Sequence, residues 1–397
     1  MRSVASITAL HAETLWERLL RGSIATMTMQ RFALLVLSIA LCTTAATGSV
    51  TKAADPAPSN RPPLVAVESL VVDVLSDDVS DTYVTKTSFA TSELSNVVAA
   101  GATVVSGETL CIANLGYGLR LRTRVGNDEH VMLFDVGTEG NAFLHNCRAL
   151  GVDLAEVEAI AITHGHWDHM GALPQTLPVI VAKRGRGRVA VHVNPDMFVE
   201  RGLRLSDGRI VPAEKVISAE RMEEAGATVV NSHEARGVLD GHFYYSGEIP
   251  RVSAFEKGRS DHLCRPAGGD WQPDPLLMDE RMVVVHVKDL GLVVFSACSH
   301  AGIVNVCTEV RRLFPGVPIH AVLGGLHLGG VMERIIPETV AGLEPFDVQF
   351  LIPGHCTGWR AVHALANAYG DRVSQSAIGT TYRFAANAAA TPSVTPR

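Results

Sequence analysis

The chain has no Cys-x-x-Cys pair and no regular cysteine spacing; its seven cysteines are scattered, and Cys42 falls within an apolar leader. That excludes a small disulfide-framed fold and the usual zinc-ribbon and thioredoxin signatures, and no essential disulfide framework is expected. Charge is also scarce: 19% of residues are Asp, Glu, Lys or Arg, below the usual quarter. The formal net charge is -7 and no stretch makes a long basic face, which argues against nucleic acid as the main partner. One basic run, Lys183-Arg184-Gly185-Arg186-Gly187-Arg188, reads as a solvated loop, with reception of an anionic substrate as the alternative. The apolar run from Phe32 to Cys42 is too short to span a bilayer comfortably.

What is present is ample core material. Hydrophobic residues make up 47% of 397, enough for one large α/β unit or two average domains. Residues 1–54 read as a leader: Gln30-Arg31, the apolar run, then small residues from Thr43 to Ser49 follow the plan of a secretory signal. Met27 or Met29 makes a more ordinary start for it than Met1. Export to the periplasm is expected, with an uncleaved anchor as the alternative. Leu41 before Cys42 is not the small residue that a lipidation site needs. A linker at 55–63, one folded domain at 64–385 and a disordered tail at 386–397 complete the division.

Within the domain, Leu119 to Thr123 and His130 to Val136 flank a Gly-Asn-Asp turn and predict a hairpin. A helix is expected from Asn141 to Leu150, closed by Gly151. Residues Asp77 to Gly107 show no period and read as a loop or insertion. A helix start is expected at Gly171 to Leu177, with Val179 to Ala182 or Val189 to Val193 as strands. Residues 194–280 are the least legible. Order returns with a hairpin of Met282 to Val287 and Leu292 to Phe295, then a helix from Ile303 to Phe314. Strands Ile319 to Leu323 and Val348 to Ile352 follow, and a helix from Arg360 to Tyr369.

The densest chemistry lies at Thr163-His164-Gly165-His166-Trp167-Asp168-His169, directly after the apolar stretch Val157 to Ile162. Neutral imidazole and carboxylate are ligands that zinc, iron and manganese accept. Four such groups so close together suggest two metals side by side. The pattern recurs: apolar strands run out into short turns that present His300, His327 and His355. Histidines at strand ends converge on one edge of a sheet, where open α/β architectures place their sites. Alternation of strands and helices in both halves suggests helices covering a sheet sandwich from outside.

These motifs resemble the metallo-β-lactamase superfamily, whose His-x-His-x-Asp-His signature is matched by His164, His166, Asp168 and His169. Within it the chain looks like the subgroup named after a pterin-forming synthase. Leu133 to Gly137, Gly247 to Arg251, Ser296 to Asn305, Gly324 to Leu328, Pro353 to Gly358 and Ile378 to Thr380 carry that likeness. The resemblance implies an αββα sandwich, two mixed sheets with helices outside, and two divalent metal ions at one edge. Zinc comes first among these, with iron or manganese as alternatives. It implies His164 and His166 on the first metal, Asp168, His169 and His355 on the second, and His300, in place of a missing Gly-His-Thr-Pro-Gly histidine, on the first. Cys298 stands where the family has a bridging aspartate. Asp135 is expected to orient the cluster by accepting a hydrogen bond. The implied activity is hydrolysis of a small ester, lactone, amide or phosphoester, with Asp168 and His327 as catalytic candidates; His327 is alternatively a ligand. A pterin-linked synthase and a catalytically silent binding protein are the rival readings. The oligomeric state is not legible.

Overall fold

The computed structural model describes residues 64–386 apart from 84–86 and 186. The expected leader, linker and all but the first residue of the expected tail lie outside these residues. The described chain begins with β1 (Ala66–Val67), β2 (Ser69–Ser76) and β3 (Ala90–Thr91), followed by helix α1 (Glu93–Ala99). Then come β4 (Gly118–Val125), β5 (Asp128–Phe134), α2 (Gly140–Ala149), β6 (Ala159–Ala161), the single turn α3 (Trp167–Met170), α4 (Leu173–Arg184) and β7 (Val189–Val193). The middle holds β8 (Glu200–Arg204), β9 (Ile210–Pro212), α5 (Ala219–Glu224), β10 (Ala227–Asn231), β11 (Arg236–Val238), β12 (Phe243–Tyr245), β13 (His262–Arg265) and β14 (Gln272–Pro273). The last part is β15 (Val283–Val287), β16 (Gly291–Phe295), α6 (Ile303–Leu313), β17 (Ile319–Gly325), α7 (Ile336–Leu343), β18 (Phe350–Gly354), α8 (Trp359–Tyr369) and β19 (Thr381–Ala385).

Two large sheets form. One runs β10-β7-β6-β5-β4-β2-β19-β3, and the other β11-β12-β15-β16-β17-β18 with β1 also on β15. Both are mixed: β4 and β5 pair antiparallel while β5, β6 and β7 pair parallel, and β15–β16 is antiparallel while β16, β17 and β18 are parallel. Side chains alternate across each pleat. Thus Met132, Phe134, Ala159 and Ala161 join Val283, Val285, Val293 and Phe295 in the layer between the sheets. The intervening Val131, Leu133 and Ile160 pack outward with residues of α2 and α4, and Val284, Leu292 and Val294 with residues of α6, α7 and α8. Burial on both faces explains why these strands read as nearly unbroken apolar runs. The result is the helix–sheet–sheet–helix sandwich implied by the resemblance.

Two local expectations are corrected. Of the two alternative strands after the cluster, Val189 to Val193 is β7, whereas Val179 to Ala182 is helical, inside α4, although its β-branched run reads as a strand. Its buried Leu173, Thr176, Leu177 and Ile180 follow the i, i+3, i+4, i+7 stripe of a helix on a sheet. The Asp77–Gly107 stretch contains α1, capped at its N-terminus by Ser92, whose hydroxyl accepts from the Ser95 N–H. The illegible middle contributes β10 to one sheet and β11–β12 to the other, while β14-β13-β8-β9 make a separate small sheet.

Phe134 and Phe295 meet edge-on across the central layer, with centroids 6.1 Å apart. Each Phe→Ala change is expected to cost about 3–5 kcal/mol in denaturant unfolding. The double variant should cost less than the sum, because the second truncation removes a contact already lost.

Candidate metal centre

The Thr163–His169 turn leaves β6 at the sheet edge, and its geometry is fixed from behind. Asp135, just past β5, accepts from the Thr163 N–H at 2.8 Å and the Thr163 hydroxyl at 2.7 Å. The same carboxylate lies 2.7 Å from His169 Nδ1, which turns the Nε2 of His169 toward the centre. Asp135 therefore orients the cluster as the sequence suggests. Gly165 gives the turn its close approach: a Cβ there would lie 2.1 Å from the Met197 carbonyl oxygen. Its N–H donates to Asp279 Oδ2 at 2.8 Å.

The other ligand turns are anchored in the same way. Past β16, the N–H groups of His300 and Ala301 donate to the two oxygens of Glu280, at 2.8 and 2.6 Å. Past β18, the His355 N–H donates to Asp77 Oδ1 at 2.9 Å, while Ser376 holds the other oxygen at 2.7 Å. Burial pushes the Asp77 carboxyl up to about 7 and raises that of Glu280. Asp135, Ser299, His327 and His355 all adopt positive φ, between 45° and 54°. Such backbone costs on the order of 1–3 kcal/mol per residue and persists where the surroundings impose it.

The six expected metal residues come together in two triads. His164, His166 and His300 form one; Asp168, His169 and His355 form the other; within each the donor atoms lie within 4.8 Å of one another. His164 Nε2 is 3.0 Å from His166 Nδ1, and Asp168 Oδ2 is 3.4 Å from His355 Nε2. Burial, helped by the neighbouring imidazoles, holds His164 and His300 well below the usual histidine range; for His166 burial is helped first by Arg201. Their lone pairs are therefore free at neutral pH. In Asp168, burial opposes ionisation, but His169 and His355 outweigh it and hold the carboxyl below its ordinary range.

His169 Nε2, His300 Nε2 and His355 Nδ1 are buried without a hydrogen-bond partner, and His355 Nε2 has the long 3.4 Å contact with Asp168. Leaving one such group unsatisfied costs about 1–3 kcal/mol. Several in one cluster, each beside other donor atoms, fit divalent cations.

The sequence reading missed His262. It projects from β13 of the small sheet, with ring centroids 5.7 Å from His166, 5.3 Å from His300 and 6.0 Å from His327. No periodicity or motif marks it; only its residue type did. Arg201 of β8 was missed too: it pairs with Asp274 at 2.8 Å and Asp279 at 2.9 Å and ties the small sheet to the anchor of Gly165. His327, expected as a catalytic group, has Nδ1 3.3 Å from Cys298 Sγ and Nε2 3.5 Å from Arg259. These groups line a cleft of about 310 Å³ whose apolar walls include Leu115, Trp167, Leu203 and Leu277. Lys183, Arg184 and Arg188 of the basic run are not among its lining. Tyr244 and Tyr245 are core residues, Tyr245 donating to the Ile162 carbonyl. Trp271 stacks under Arg265.

Residues 123–248 match the sequence profile of the metallo-beta-lactamase superfamily. A solved metal-dependent hydrolase of the beta-lactamase superfamily superposes with TM-score 0.58 at 21% identity, covering 80% of this chain and 99% of that one. The chain carries a metallo-β-lactamase superfamily domain. A 7,8-dihydropterin-6-methyl-4-(beta-D-ribofuranosyl)-aminobenzene-5'-phosphate synthase of Methanocaldococcus jannaschii is 24% identical over 255 residues, 64% of this chain and 84% of that protein. That relative carries the name of the subgroup that the motifs resemble. Members of the superfamily generally bind divalent metals, which suits the donor set of this metallo-β-lactamase-fold centre.

Asp135→Asn keeps the size of the side chain but weakens its grip on His169. A 10–100-fold loss of metal affinity is expected with unchanged circular dichroism, read by competition with a chromophoric chelator.

Proposed function

We propose that the chain is a metal-dependent hydrolase of a small molecule, an ester, lactone, amide or phosphoester. One observation carries the reading: two adjoining triads of ligand-type groups stand at the base of a cleft of small-molecule size. His164, His166 and His300 would hold one divalent ion and Asp168, His169 and His355 the other, zinc before iron or manganese. When bound, such ions bring the acidity of water toward a pKa of about 7 and polarise the target oxygen.

The chain's own residues supply the rest. Asp168 keeps part of its carboxylate toward the cleft and is placed to orient the attacking water and accept its proton. His327, on its constrained turn, offers a ring nitrogen to the oxygen that gains charge, and Arg259 beside it, held by Asp261 through two hydrogen bonds, adds N–H donors. The small sheet β14-β13-β8-β9 supplies His262, Arg201 and Leu203 to the wall of the cleft. The leader supports export, and a periplasmic enzyme would meet its substrate outside the cytosol.

The similarity to the pterin-related synthase supports a second reading, a synthase-type reaction in the same site. A panel of esters, lactones, amides and phosphodiesters beside dihydropterin substrates separates the two. Turnover should disappear with a chelator and return with zinc or manganese. Asp168→Ala and His166→Ala should each lose at least about 100-fold in kcat while the protein stays folded. His300→Ala should lower metal content from about two ions per chain toward about one. Full activity in Asp168→Ala, or unchanged metal content in His300→Ala, would overturn the assignment; metal binding without turnover on any substrate would favour a silent binding protein.

A further inference from the structure

Two side chains at the floor of the cleft have no task in the mechanism above. Cys298, 2% exposed, and Cys356 are free thiols whose Sγ atoms lie 3.1 Å apart. They come from different places: Cys298 follows β16 and Cys356 follows β18, with β17 lying between and paired in parallel to both strands. Adjacent strands stand about 4.8 Å apart, so side chains two strands apart meet only across a residue that leaves room. That residue is Gly325. A Cβ there would fall 2.6 Å from Cys356 Sγ and 2.6 Å from the Ala297 carbonyl oxygen. The fold thus keeps a gap through which the sulfurs touch. Ordinary thiol hydrogen bonds are weak and do not require so specific a gap.

A closed S–S bond measures about 2.05 Å, so the sulfurs need to approach by about 1 Å. Cys298 Sγ also lies within 4.8 Å of donor atoms of His164 and His169, and it groups with His327 and Cys356 in the same way. The sulfur contact therefore sits between the two triads and the cleft.

We propose that Cys298 and Cys356 are a reversible dithiol–disulfide pair that governs how tightly the centre holds metal, a role that rests on the metal-centre reading above. The oxidant is a low-molecular-weight disulfide admitted through the cleft. One cysteine sulfur, having given up its proton, attacks that disulfide and expels a thiolate, leaving a mixed disulfide. The second cysteine sulfur, likewise deprotonated, displaces the remaining half. Two electrons pass to the oxidant, its two halves leave carrying the two protons as thiols, and the Cys298–Cys356 bond remains. The disulfide form has no ionisable sulfur to offer a cation, and it joins the turn of His300 to that of His355. The reduced form leaves both turns as found and holds metal more tightly.

Metal-free protein equilibrated across glutathione/glutathione disulfide ratios, then alkylated and peptide-mapped, reads the pair; zinc competition with a chromophoric chelator reads the consequence. The expected result is a Cys298–Cys356 cross-linked peptide at the oxidising end, zinc affinity at least about 10-fold weaker, and recovery of both with dithiothreitol. Cys356→Ser should hold zinc equally at both ends of the series, and Cys298→Ser serves as the second control should the first fold poorly. Complete alkylation of both thiols at every ratio, or a cross-link with unchanged zinc affinity, would overturn the proposal. Zinc uptake by neither redox form would overturn the metal-centre reading and the gate together, whereas the cross-link map reports on the sulfur pair by itself.

Discussion

The three turns that carry the six candidate metal ligands each hang from a buried carboxylate, and the candidate centre depends on that arrangement. Asp135 holds Thr163 and His169, Asp279 holds Gly165, Glu280 holds His300 and Ala301, and Asp77 holds His355. A carboxylate removed from water is unfavourable unless its oxygens are hydrogen-bonded. Here the backbone N–H groups that satisfy them belong to the turns that must be positioned. Satisfying the acids and fixing the ligands are one set of contacts. Burial keeps His164, His166 and His300 neutral, whereas at His169 and His355 the neighbouring acidic groups outweigh burial and raise the rings, so a cation at the second triad would take the place of those protons.

The division of the cluster into two triads follows from topology. The first turn follows β6 in one sheet, while His300 and His355 follow β16 and β18 in the other. Neither sheet alone carries either of these two triads: His164 and His166 need His300, and Asp168 and His169 need His355. The facing of the sheets, fixed by the apolar layer around Phe134 and Phe295, is therefore also what completes the donor set. Packing far from the edge and geometry at the edge are coupled in this fold through rigid, fully buried strands.

What was legible in the sequence is what was local. The His-x-His-x-Asp-His run, the turns of His300 and His355 and the strands before them could be read because each is a short contiguous pattern with a chemical reason. The carboxylate anchors were only partly legible. Asp135 stands beside a Gly at a strand end, but Asp77, Asp279 and Glu280 act on residues that are 278, 114 and 20 positions away. Helix α4 was misread in part because Val179, Ile180 and Val181 favour strands in isolation, and docking of its buried stripe on the sheet decides otherwise. The small sheet escaped because its strands are two to five residues long, too short for a period to show. His262 escaped with it.

That small sheet is not an independent lid. Arg201 on β8 pairs with Asp279, and Asp279 accepts from Gly165 between the first two histidines. Asn194 donates to the backbone carbonyl of the same aspartate at 2.7 Å. A shift of β8 that moved the guanidinium would alter the charge on which the Gly165 turn rests, and so the orientation of His164 and His166. Conversely, a charge placed between the triads would be felt at Asp279 and at the cleft wall. Buried, hydrogen-bonded charge networks of this kind transmit displacement because their members cannot be repositioned singly without leaving one unpaired. The surface that would contact substrate and the turn that would hold metal are thus joined through one aspartate.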